Sequence, residues 1–170
     1  DDGAPLTGKA SANSAFPAGA ATLAVDGKLD TAWSADLHGD TDPQLTLDLG
    51  RLREFGGLVL DWKPGQHASD YLVQLSDDGL RWRDVRTVVE GNGGRDYLAL
   101  PESEARYIRL TVGDGPGASF ALAGLDVVAV LGIGLVAAGV GGLALVPDYG
   151  LVEFAADTWA GFESMVEITL

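Results

Sequence analysis

The chain has 170 residues, with 25 Asp and Glu against 11 Lys and Arg, a formal net charge of −14 at pH 7. That length suits one domain, or one domain with an extension, and 46% hydrophobic with 21% charged residues supplies a core, so wholesale disorder is excluded. The negative charge repels phosphate backbones and argues against a nucleic-acid partner. The lack of cysteine removes disulfides, thiolate metal sites and Cys nucleophiles together, and two histidines, His38 and His67, leave little material for zinc or a general base.

The chain opens on a polar, acidic stretch from Asp1 to Ser14 with no apolar h-region, as a mature chain after signal cleavage would, or a piece cut from a larger protein. The segment Ala24 to Ser34 follows. Asp26-Gly27 makes a tight turn, and Asp30 and the Thr31 hydroxyl share a loop that can either wrap a hard cation with backbone carbonyls or close on itself through Asx-type hydrogen bonds. Trp33 then starts the core. Short alternating runs come next: Leu45–Leu49 to Gly50, Leu58–Trp62 to Pro64-Gly65, Tyr71–Leu75 to Asp77-Asp78-Gly79, and Trp82–Val89 to the loop Glu90–Gly94. Tyr97–Leu100, Tyr107–Val112 and Ala121–Leu125 complete the series. Runs of this length between Gly, Pro and Asp turns predict an all-β, antiparallel sandwich over residues 1–126. Trp33, Trp62 and Trp82 fall in these runs and are expected in the core.

Residues 127–170 differ. No Lys or Arg follows Arg109, and Val127–Val146 is uncharged. Its length makes it a candidate membrane span. Five glycines, the absence of flanking basic residues and the acidic segment that follows favour buried strands or a packed helix instead. Strands are expected at Leu151–Phe154 and Met165–Leu170. The extension is a candidate surface for other domains or subunits.

AVDGKLDTAWS at 24–34, LTLDLG at 45–50, LVLDW at 58–62, YLVQLSDDGLRW at 71–82 and RYIRLTV at 106–112 stand in an order and spacing that resembles the discoidin, or coagulation factor V/VIII type C, module. The resemblance covers about residues 8–127 and extends to the family-32 carbohydrate-binding modules of bacterial enzymes. It implies an eight-stranded, jelly-roll-like sandwich of the galactose-binding-domain kind, whose loops at one end bind a glycan, commonly a terminal sugar. It also implies a structural Ca2+ site on Asp26, Lys28, Asp30 and Thr31, for which the family adds a Glu from the last strand. Gly124 occupies that position here. The binding loops implied are about 34–43, 63–70 and 90–97, which hold His38, Asp40, Asp42, Lys63, His67, Asp70, Asn92, Arg95 and Tyr97. Sugar sites use such a mixture, an aromatic face for the ring and polar groups for the hydroxyls. Lys63 and Asp70 stand where galactose-binding relatives carry Arg and Asn.

Glu90–Gly94 lacks the GKS/T end of a P-loop, no G-x-S-x-G is present, and neither histidine has a recognisable nucleophile partner. The reading is a non-catalytic carbohydrate-binding module of an extracellular or cell-envelope protein. The alternative is a structural or assembly subunit whose apolar tail packs into neighbours or membrane.

Overall fold

A computed structural model describes residues 6–39, 41–129, 143–146 and 150–153. The chain divides into two compact units, Asp1–Val130 and Leu131–Leu170. In the first, β1 (Lys9–Ala12), one 3-10 turn (Ala21–Ala24), β2 (Trp33–Asp36), β3 (Gln44–Trp62), β4 (Asp70–Ser76), β5 (Arg83–Val88), β6 (Arg95–Asp114) and β7 (Ser119–Val128) follow in order. All pairings are antiparallel.

Two long strands make the sandwich. The first part of β3 lies between β1 (Lys9 opposite Asp48) and the last part of β6, beyond which come β4 and β5. The last part of β3 lies between the first part of β6 (Asp61 opposite Arg95) and β7, which β2 flanks. β3 and β6 thus run through both layers, and the register between them shifts at Asp48/Arg53 and Phe55/Gly57. Gly50, at φ 79°, turns the backbone inside the first irregularity, a left-handed conformation that side chains resist. The predicted runs 45–49 and 58–62 are therefore one strand, as are 97–100 and 107–112. The resemblance implies eight strands; residues 6–129 form seven.

Period-two alternation fills the space between the layers. Tyr71, Val73 and Leu75 of β4 are buried while Asp70, Leu72 and Gln74 are half-buried, and Leu45, Leu47, Leu58 and Leu60 of β3 join Ile108, Leu110, Phe120 and Leu122 in one core. Trp33 is fully buried, edge-on to Phe120 with ring centroids 4.7 Å apart, and Trp62 packs on Phe120 and Tyr71. Trp82 departs from expectation. It precedes β5 and is half-buried against Arg109 and Tyr107 on the outer face of the layer, where no second layer covers it.

β7 continues to Val128, two residues beyond the expected boundary. In the second unit, β8 (Leu143–Val146) and β9 (Gly150–Glu153) pair as an antiparallel hairpin, Leu143 opposite Glu153. The strand expected at 165–170 and most of the 127–146 run lie outside the described residues. Among the described residues no helix is long and apolar enough to cross a membrane.

Candidate functional site

The loops at one end of the sandwich converge on residue 67. A Cβ on Gly93 would fall 2.6 Å from the His67 Cγ, and one on Gly115 would fall 2.7 Å from the His67 carbonyl oxygen and 2.9 Å from Leu37 Cδ1. Only glycine permits these approaches, so the chain between β2 and β3, the 63–70 loop, the 90–94 loop and the turn after β6 meet there. Backbone hydrogen bonds lock them: Leu37 N–H to the Ala118 carbonyl, Ser69 N–H to Asp114, Gly91 N–H to Ser69, and Ala121 N–H to Gln66, each at 2.8 Å. The turn after β6 was not among the expected binding loops. Its signal was Gly113-Asp114-Gly115-Pro116-Gly117, a turn-forming run between two strands.

The expected ligand residues divide into three groups. His38, His67 and Asn92 lie at the convergence, His38 and Asn92 exposed and His67 half-buried against Gly93. Asp70 and Lys63 are occupied by the fold. Asp70 accepts the Glu90 amide at 3.0 Å, holding that residue at φ 57°, and the Lys63 ammonium donates to the Leu29 carbonyl. Arg95 and Tyr97 lie on β6, which begins at Arg95: the strand expected from Tyr97 starts two residues earlier, and neither residue is in the loop. Alternation turns both outward while Asp96 between them turns in. Asp42 is exposed and its carbonyl accepts from Asn13; Asp40 lies outside the described residues.

Arg95 is clamped by Asp61 through two bonds, Nε to Oδ1 at 2.8 Å and Nη2 to Oδ2 at 3.0 Å. A Cβ on Gly124 would meet the Asp61 Oδ2 at 3.2 Å, so the glycine at the family's Glu position leaves room for this clamp. Behind it, Asp96 Oδ2 accepts from Trp62 Nε1 at 2.9 Å and from the Tyr71 hydroxyl at 2.7 Å. Burial first, then the bond to Asp96, hold the Tyr71 phenol above the ordinary tyrosine value, so it stays a donor. Tyr97 is 65% exposed and offers an aromatic surface beside Arg95.

The 26–31 loop closes on itself. The Thr31 hydroxyl lies 3.0 and 2.8 Å from the two Asp26 carboxylate oxygens and 3.1 Å from the Lys28 carbonyl, and Asp26 also accepts the Lys28 amide at 2.9 Å. One carboxylate, one hydroxyl and one carbonyl oxygen thus converge, a hard donor set suited to calcium. Asp30 is exposed and makes none of these contacts. Asp126 stands opposite Val59 on β3.

Comparison with known proteins places this geometry. The model of the F5/8 type C domain matches residues 9–124. A chitosan-binding module 1 from a chitosanase/glucanase of Paenibacillus sp. IK-5 superposes with a TM-score of 0.66 at 26% identity, over 72% of this chain and 96% of that one. A family 32 module from Clostridium perfringens, CpGH89CBM32-5, solved in complex with GalNAc-β-1,3-galactose, gives a TM-score of 0.67 at 25% identity, over 74% of this chain and all of that one (100%). A polysaccharide lyase 8 family protein, HylA, of Enterococcus faecalis is 31% identical over 107 residues, 60% of this chain. The match spans only 7% of that protein's length.

Proposed function

The chain belongs to the F5/8 type C domain family, and we propose that it serves as a non-catalytic carbohydrate-binding module of an extracellular or envelope protein, taking a terminal sugar where the loops meet at His67. The observation that carries this reading is the convergence itself. Gly93 brings the 90–94 loop against the His67 imidazole, Gly115 brings the turn after β6 against the His67 carbonyl and Leu37, and backbone hydrogen bonds hold these segments, which leaves His67, His38 and Asn92 to bond hydroxyls. A sugar hydroxyl both donates and accepts, and this imidazole–amide set does the same. Tyr97 supplies apolar cover from the neighbouring sheet face. Lys63 and Asp70 shape the loops, and Arg95 has already committed one edge of its guanidinium to Asp61.

Contact with one or two sugar units is small, so the affinity is weak, about 0.1–1 mM, or about −4 to −5.5 kcal/mol. A glycan array with the full chain, followed by titration of the best hit, tests the reading. His67→Ala weakens binding several-fold without unfolding the protein; Arg95→Ala weakens it less. A folded preparation that binds no glycan overturns the proposal.

The same reading extends to calcium in the 26–31 loop. Calcium takes about six to eight oxygens, which Asp26, the Lys28 carbonyl and Thr31 begin and carbonyls or water complete. Its contribution there is to tie the loop to the fold. Millimolar calcium then raises Tm by mass action, and Asp26→Asn removes the increase while Asp30→Asn leaves it. Equal Tm in EDTA and in calcium would mean that the hydrogen bonds alone close the loop.

A further inference from the structure

β4 runs from the loop end to the opposite end of the sandwich, where the turn to β5 borders an open surface cavity of about 260 Å³ lined by Asp77, Asp78, Arg81, Trp82 and Arg83. The turn is stiff. Gly79, at φ 74°, lies where a Cβ would meet the Tyr107 ring at 3.4 Å, and its N–H donates to the buried Ser76 hydroxyl at 2.9 Å. Asp78 accepts from the Ser76 hydroxyl and from the Leu80 and Arg81 amides, and its other oxygen takes Arg81 Nε at 3.0 Å. Trp82 is equally fixed. The Arg109 guanidinium lies over its ring, 3.8 Å from the centroid, and is itself held by Gln74, while Tyr107 packs edge-on at 6.5 Å. Arg83 is anchored to the Glu104 carbonyl at 2.6 Å and reaches Asp77 at 3.3 Å.

From this cavity we propose a second saccharide site, on Trp82 and the flanking Arg81–Asp78 and Arg83–Asp77 pairs, that takes one ring of a neutral sugar. Three properties carry it. The volume falls just below the range of about 300–1,000 Å³ found for drug-sized ligands, which suits a single sugar ring. Two carboxylates and two guanidinium groups cancel in charge, so neither a polyanion nor a polycation is favoured, while adjacent donors and acceptors match vicinal hydroxyls. The indole is immobilised before any ligand arrives, so little side-chain entropy is lost on stacking. The seven residues of β4 separate this cavity from the loop end by about 20 Å, so the two sites take different units of one polysaccharide and together bind it more tightly than either alone.

The inference rests on the carbohydrate class proposed above but not on the loop site, and one experiment separates them. The full chain, isotopically labelled, is titrated with galactotriose, cellotriose and N-acetylchitotriose while the indole Nε1–H resonances of the four tryptophans and the loop-end amides are followed by NMR. The expected result is a saturable shift of the Trp82 indole with at least one trisaccharide. Arg81→Ala, whose side chain is 92% exposed and whose loss leaves the core intact, weakens the affinity read from that shift by about three- to tenfold, the worth of a hydrogen bond, and His67→Ala leaves it unchanged. A silent Trp82 with all three sugars overturns the proposal, as does a shift lost in His67→Ala and kept in Arg81→Ala. A Trp82 response with silent loop-end amides overturns the loop reading and leaves this site standing.

Discussion

The two ends of the sandwich are built by opposite means. At the loop end, backbone bonds and glycines do the holding: Leu37, Ser69, Gly91 and Ala121 donate main chain to main chain, and Gly93 and Gly115 allow the close approaches. At the β4–β5 turn, side chains do it, with Ser76, Asp78, Arg81 and Arg83 bonded to one another and to nearby backbone. Backbone closure leaves His38, His67 and Asn92 unspent, although Asp70 and Lys63 are used, and unspent polar groups are what a hydroxyl-rich ligand needs. Side-chain closure spends part of them, and what remains is one rigid aromatic surface ringed by the outer N–H groups and carboxylate oxygens of the Arg81–Asp78 and Arg83–Asp77 pairs.

The largest effect that would break this contrast sits behind the loop end. Asp96→Ala strands two donors, Trp62 Nε1 and the Tyr71 hydroxyl, and should cost about 2–4 kcal/mol in chemical denaturation. A loss no larger than that of an exposed Asp→Ala control such as Asp30→Ala would show that Asp96 does not organise this end. The same triad makes an alkaline limb. Because folding raises the Tyr71 pKa, its contribution is complete below the ordinary value of 10 and declines as pH rises above it. Tyr71→Phe should flatten that decline in Tm measured between neutral pH and pH 11.

Paired glycine substitutions sharpen the contrast. Gly93 and Gly79 have nearly the same φ, 75° and 74°, so Ala at either carries the left-handed backbone cost of about 1–2 kcal/mol. At Gly93 the new methyl also overlaps His67, at 2.6 Å, whereas at Gly79 it meets the Tyr107 ring at 3.4 Å, near ordinary contact. Gly93→Ala should therefore lose more stability and also abolish glycan binding at the loop end, while Gly79→Ala keeps that binding. Equal stability losses and equal affinities in the two variants would show that His67 is not packed as described.

The smallest effect is at the turn. Hydrogen bonds from the Arg81 and Leu80 amides, opposed by a little burial and helped by the Arg81 and Ser76 side chains, hold Asp78 below the usual carboxylate range. A depressed folded pKa stabilises above the unfolded value of 3.8 and loses that contribution as pH falls below it. Asp78→Asn should remove this acid-side slope and leave neutral-pH glycan binding at the loop end unchanged. A retained slope would assign the acid sensitivity to another carboxylate.

What the sequence determined by itself was everything set by neighbours along the chain. Alternation fixed which residues of each run face inward, so Leu45, Leu47, Val73, Leu75, Ile108 and Leu110 were legible as core. The Asp-Gly and Pro-Gly pairs marked where runs stop, and Asp26 and Thr31 were close enough in sequence to be seen as one loop. Tertiary structure alone decided what depends on register between distant strands. Whether 45–49 and 58–62 form one strand turns on irregularities opposite β6, and whether Trp82 is covered turns on its lying against Arg109 and Tyr107 on the outer face. Tyr97 began a predicted run, but Arg95 looked like a loop residue until pairing with Asp61 extended β6 back to it. Gly93 and Gly115 signalled only flexible turns. Their role in bringing three loops against His67 appears once chain segments far apart in sequence are packed together, because a missing Cβ matters only where another atom takes its space.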